Sequence, residues 1–182
     1  MVASHPLGLA TAALALLAAG RAATVRPLSI EEMTAEATSV VHARVEESRV
    51  EAAGPLIYTV YRLEISETLK GEPAAAEIAL PGGRLGAAEQ HYSGVPDLQQ
   101  GREYVLFLWT GPSGRTQAVG LSQGVLRIET RGDEVRVRRG RLADAFIAPG
   151  EDRAGDEAIN MSFDEFAARV RAGLAAQPEK RP

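Results

Sequence analysis

A long alternating stretch, residues 56–71, organises the pattern of the chain. Ile57, Thr59, Tyr61, Leu63 and Ile65 fall on one face at a period of two. Tyr58, Val60, Arg62, Glu64 and Ser66 fall on the other, which turns polar toward its end. β-Branched and aromatic residues crowd the first half, as a half-buried pleated surface prefers. Lys70-Gly71 and the following Glu72-Pro73 stop the pattern. It predicts one long strand, and a strand of this length belongs to a bent sheet or a small barrel rather than to a flat edge.

Shorter segments surround it. Ser29-Ile30-Glu31-Glu32 has the form of a capping box, and Ile30, Met33 and Ala37 give the stripe of a short helix ending near Ala37. Residues 39–45 predict a first strand, and residues 51–55 the turn into the long one. Residues 75–80 predict a third strand, closed by Pro81-Gly82-Gly83. Residues 84–98 read as a long irregular loop. Residues 104–109 are apolar on both faces and predict the most buried strand. Beyond a hairpin loop at 111–114, strands are expected at 117–121, 124–129 and 135–138, the last two joined through Arg131-Gly132-Asp133. Residues 139–160 read as a surface connection. Ser162-Phe163-Asp164-Glu165 is a second capping box, followed by Phe163, Phe166, Val170 and Leu174 on one helical face.

The expected architecture is mainly β with flanking helices: a small antiparallel barrel of about five to seven strands, a short N-terminal helix and a C-terminal helix. No strand–helix–strand alternation appears, which argues against a doubly wound nucleotide-binding sheet. One domain is expected over residues 24–176, with its barrel core at about 38–138 and its last helix at 162–175, and with a disordered tail at 177–182. Residues 1–23 are expected to be a signal peptide. Residues 7–19 form an apolar run too short for a membrane span, and Gly20 and Ala22 suit cleavage near Ala22.

Composition narrows the picture. The 182 residues are 45% hydrophobic and 24% charged, enough for one domain with a core. A net charge of −4 argues against nucleic acid as the main partner. The chain has no cysteine, and therefore no disulfide, no thiolate metal site and no acylated lipoprotein terminus. The expectation is an exported protein, periplasmic or secreted, with no stable membrane span after cleavage.

Three blocks carry a resemblance: Ser39-Val40-Val41-His42-Ala43-Arg44-Val45; Tyr58-Thr59-Val60 through Leu69-Lys70-Gly71; and Leu98 through Gly101-Arg102-Glu103-Tyr104-Val105-Leu106-Phe107. Over about residues 38–130 this layout resembles the netrin-like module of tissue inhibitors of metalloproteinases. It is also similar to a set of exported bacterial proteins with the same order of motifs. The resemblance implies a five-stranded oligonucleotide/oligosaccharide-binding (OB) barrel. The animal inhibitors clamp a protease zinc through an N-terminal cysteine, which this chain lacks, so the inhibitory chemistry does not carry over.

Candidate chemistry is sparse. His42 has no second ligand at metal spacing, and His91 has only Glu89 near it in sequence, so no metal and no cofactor are expected. No G-x-S-x-G elbow surrounds a serine, and the glycines at 82, 83 and 86 open no helix. The arginines at 127, 131, 136, 138, 139 and 141 read as a solvated basic hairpin rather than a nucleic-acid surface. Tyr104, Phe107 and Trp109 read first as core. The expected activity is non-catalytic binding, as an inhibitor or accessory protein, of a protein in the envelope or outside the cell. The candidate residues are Arg84, His91, Tyr92 and Trp109. The alternatives are an envelope hydrolase using His91 with a carboxylate, and a carbohydrate- or peptide-binding accessory domain.

Overall fold

Ser29 opens the first element. Its hydroxyl accepts from the Glu32 N–H at 3.1 Å, and the Glu32 carboxylate accepts from the Ser29 N–H at 2.9 Å, so the capping box is complete. Helix α1 (Ile30–Glu36) buries Ile30 and Met33 and stops at Ala37, whose backbone is extended. The computed structural model describes residues 26–73, 75–140 and 157–176. The expected signal peptide and the 177–182 tail lie outside the described residues, as does 141–156 of the expected surface connection.

Strands β1 (Ser39–Ala53) and β2 (Leu56–Lys70) pair antiparallel along their whole length. β1 runs well past Val45, and the turn shrinks to Gly54-Pro55. Residues 46–51, the last of which was expected to begin the turn, belong to β1, and their charged side chains take partners distant in the chain. Arg62 pairs with Glu46 at 2.9 Å, and Arg49 with Glu77 at 2.8 Å. These are cross-strand pairs on an exposed sheet face. Register shifts in β1 at 40/41, 42/43 and 45/47 bend the hairpin. As expected, Tyr61 and Leu63 are buried while Arg62 and Glu64 are exposed.

β3 (Glu77–Pro81) pairs with β2 on its other side. Within the segment expected to be an irregular loop, β4 (Gly83–Leu85) and β5 (Ala88–Gln90) form a small separate hairpin. β6 (Glu103–Thr110) pairs with the first half of β1. β7 (Thr116–Ala118) is shorter than expected, because the chain enters a left-handed conformation at Gly120 and Leu121 and makes a 3-10 turn over Leu121–Gly124. β8 (Val125–Arg131) and β9 (Glu134–Arg139) form a hairpin around Gly132-Asp133. β10 (Ile159–Ser162) pairs with β9 and corrects the expectation of a plain connection up to residue 160. Its Ser162 then caps α2 (Phe163–Ala175), accepting from the Glu165 N–H at 3.2 Å.

Among the described residues the main antiparallel sheet has eight strands, more than the expected number, in the order β10-β9-β8-β6-β1-β2-β3, with β7 added on β6. β7 also lies beside β3, so the sheet curls. The two faces carry two cores. Inside the curl lie Val41, Val45, Tyr61, Leu63, Ile78, Leu80, Tyr104, Leu106 and Leu108. The helices cover the other face over Val40, Val105, Phe107, Leu126 and Val137. Phe107 meets Phe166 edge-on, with ring centroids 6.0 Å apart. β6 serves both cores, which is why it is apolar on both faces. Its last apolar residue is the exception. Trp109 is 44% exposed, beyond Phe107 on the helix-covered face, and its ring lies over Gly111.

The motif Leu69-Lys70-Gly71 has a structural use. Leu69 packs on the helix-side core, and Lys70 Nζ donates to the carbonyls of Thr34 and Ala35 at the end of α1. Partial burial lowers the Lys70 pKa. Gly71 has φ +58, and a Cβ there would stand 2.3 Å from the Thr38 carbonyl oxygen. Three consecutive residues thus seat α1 on the end of β2.

Candidate functional site

Two glycines let the chain leave β3 and fold back. Gly82 (φ +106) and Gly83 (φ +135) take conformations that L side chains rarely adopt, and a Cβ on Gly83 would stand 2.7 Å from Thr59 Oγ1. The β4–β5 hairpin is then clamped by Gln90. Its Oε1 accepts from the Ile57 N–H at 2.8 Å, and its Nε2 donates to the Pro55 carbonyl at 2.8 Å. The Tyr92 hydroxyl donates to the same Oε1 at 3.2 Å.

Residues 92–99 are pinned from below. The Tyr61 hydroxyl donates to Asp97 Oδ1 at 3.1 Å, and the Gln99 N–H donates to the Tyr104 hydroxyl at 3.0 Å. The Ser122 N–H donates to the Gly94 carbonyl at 3.2 Å, and Leu98 is buried in the inner core. Burial pushes the Tyr61 phenol up to about 12, so it is a neutral donor at ordinary pH.

Between β2, β3 and this segment lies a cleft of about 340 Å³. Its apolar walls include Leu80, Pro81, Val95 and Pro96, and its polar groups include Thr59, Gln90, His91 and Asp97. That mixture, at this volume, is what a small ligand or an anchoring side chain requires. Among the described residues, three of the four exposed large apolar side chains, Leu56 at the start of β2, Leu85 at the end of β4 and Tyr92 just after β5, lie beside the cleft.

The candidate residues divide. His91 and Tyr92 both line the cleft. Arg84, on β4, pairs with Glu89 at 2.6 Å and is not part of the lining. Trp109, at the end of β6, is also outside it. Asp97 is the one carboxylate in the lining, and its Oδ1 is taken by Tyr61.

Other side-chain clusters were not legible in the sequence, because their members are far apart in the chain. His42 Nε2 lies 3.2 Å from Glu103 Oε2, and Arg44 donates to Glu103 Oε1 at 2.6 Å. The Arg44 and His42 contacts hold the Glu103 carboxyl below its ordinary range. The His42 ring packs on Phe163, with centroids 5.2 Å apart. Only the strand register, which sets Arg44 opposite Glu103, could have predicted the cluster. Arg115 stacks over Tyr58 at 4.2 Å and pairs with Glu51. Among the described residues no three His, Asp or Glu side chains form a group able to hold a metal ion.

No protein-family model matches this chain, and no curated protein is significantly similar to it.

Proposed function

We propose that this protein is an exported, non-catalytic binding module that holds a partner protein at the cleft beneath residues 91–97. The observation that carries the reading is the cleft itself. It is a concave, mixed apolar and polar surface beside exposed Leu56, Leu85 and Tyr92. Its rim is clamped before any ligand arrives, by Gln90, Tyr61 and Tyr104. A pre-ordered rim lowers the entropy cost of binding. His91 and Tyr92 supply directed hydrogen bonds and contact area, and Arg84 stands on the neighbouring hairpin as a rim charge.

The same proposal takes the curled part of the sheet as a netrin-like OB barrel. Its support is the neighbour order β3-β2-β1-β6-β7, with β7 coming back beside β3. That is the strand sequence of a five-stranded, partly open Greek-key barrel with β1 shared between two neighbours. The partner is a protein of the envelope or the extracellular medium, and the supporting feature is the apolar run at residues 7–19.

The test is partner capture from an envelope extract with the mature protein and with an Arg84→Ala/His91→Ala/Tyr92→Ala variant. Capture falls and the melting temperature stays, because none of the three side chains is buried. Unchanged capture with a lowered melting temperature would make the segment packing and move the binding surface elsewhere.

A further inference from the structure

β8 pairs with β6 only from Tyr104↔Arg127 to Leu106↔Val125, yet it stays paired with β9 out to Arg131↔Glu134. The outer half of the β8–β9 hairpin therefore leaves the sheet at Arg127. A fork opens between it and the 99–102 turn that feeds β6. The fork holds a cleft of about 400 Å³, lined by Arg102, Arg127 and Arg131, with Tyr104, Glu103 and Glu129. It shares no lining residue with the cleft beneath 91–97.

Charge is unevenly balanced there. The nearest partner of each carboxylate lies outside the lining: Arg44 pairs with Glu103 at 2.6 Å, beside a His42 contact at 3.2 Å, and Arg138 pairs with Glu129 at 2.9 Å. Exposed arginines on a sheet ordinarily find a carboxylate across the strands, as Arg62 and Arg138 do here. Among the described residues the side chains of Arg102 and Arg127 have neither an ion pair nor a hydrogen bond. Arg131 has only a long contact to Glu129, at 3.8 Å. A chain of net charge −4 thus lines one cleft with three arginines.

We propose that this fork binds a dianionic phosphate group, carried on a small organic body. A carboxylate satisfies one guanidinium, whereas a phosphate has the charge and the oxygens to accept from three. A bare phosphate would leave most of a cleft this size empty. A sugar-sized body fits the remaining volume, and Gln99 and Thr130 in the lining can bond its hydroxyls.

The experiment is calorimetry at low salt with glucose 6-phosphate, inorganic phosphate and glucose, together with amide chemical-shift mapping of the unmutated protein. Glucose 6-phosphate should bind and shift the amides of 99–104 and 127–131, and glucose should not. Arg102→Gln and Arg127→Gln should each weaken binding about tenfold, the loss of one charge-assisted bond. Arg171→Gln, on the exposed side of α2, should leave it unchanged. Inorganic phosphate binding as tightly as the ester, with the same shifts, keeps the anion site and makes free phosphate its source. The absence of shifts at 99–104 and 127–131 with either phosphate, or undiminished affinity in an Arg102→Gln/Arg127→Gln double variant, overturns the proposal.

Discussion

Gly71 is small in the sequence and large in its consequences. It combines positive φ with a backbone carbonyl 2.3 Å from where a Cβ would sit, so a side chain there meets both strain and a clash. The clashing atom is Thr38 O, part of the joint between α1 and β1, and backbone cannot swing aside as a long side chain can. Gly71→Ala is expected to cost about 3 kcal/mol. Urea unfolding measures it. A loss within the range of a surface substitution, about 0.5 kcal/mol, would mean that the joint re-forms around the methyl group. The stop signal at Lys70-Gly71 was legible from residue types alone. Its reason was not, because Thr38 is remote in sequence.

At the scale of elements, the segment between β5 and β6 is ordered by side chains of the main sheet rather than by its own ladder. Tyr104 is the clearest case, since it is buried and its hydroxyl accepts from the Gln99 N–H. Tyr104→Phe leaves that amide without its partner and should destabilise the protein by about 1–3 kcal/mol. Hydrogen exchange at Gln99 should speed up while exchange within β1 and β2 holds. Unchanged exchange at Gln99 would show that the segment is held by Leu98 and Asp97 alone. This ordering is why the expected irregular loop is only partly irregular. β4 and β5 have three residues each, too few for a period-two pattern to register, and Arg84 and Glu89 look like loop residues until they pair across the hairpin. Trp109 was misread for a related reason. Alternation gives its face, and only the position of the helices shows that their cover ends at Phe107.

For the whole molecule, the two helices are joined by charge. Arg169 on α2 donates to both Glu31 oxygens, at 2.8 and 2.9 Å, and to Glu157 at 3.0 Å. The Arg169 bonds hold the Glu157 carboxyl below its ordinary value of 4.5. A folded-state pKa below the unfolded one contributes stability that is present above pH 4.5 and is lost as pH falls through the folded value. Arg169→Met should therefore lower the melting temperature at neutral pH, and lower it less as the medium is acidified below pH 4.5. An equal drop at both pH values would assign the loss to packing. The proposed export is also tested on the whole chain. Mass spectrometry of the mature protein should find an N-terminus near Ala23, and an intact Met1 would make the leading segment an anchor.

The local alternation of polar and apolar residues determined the mainly β character, the two helices with their Ser29 and Ser162 caps, and the two-sided pairing of β2 and β6. These follow from side-chain period and capping chemistry, which act within a few residues. Tertiary structure decided what depends on distant partners. It set the register that brings Arg44 and His42 to Glu103, and the curl that returns β7 to β3. It also built the clamp of Gln90 on the β1–β2 turn and the fork that, among the described residues, leaves Arg102 and Arg127 without an ion pair. Both clefts are lined by residues from separate strands and turns. A cleft is a gap between elements, and no single stretch of sequence contains one.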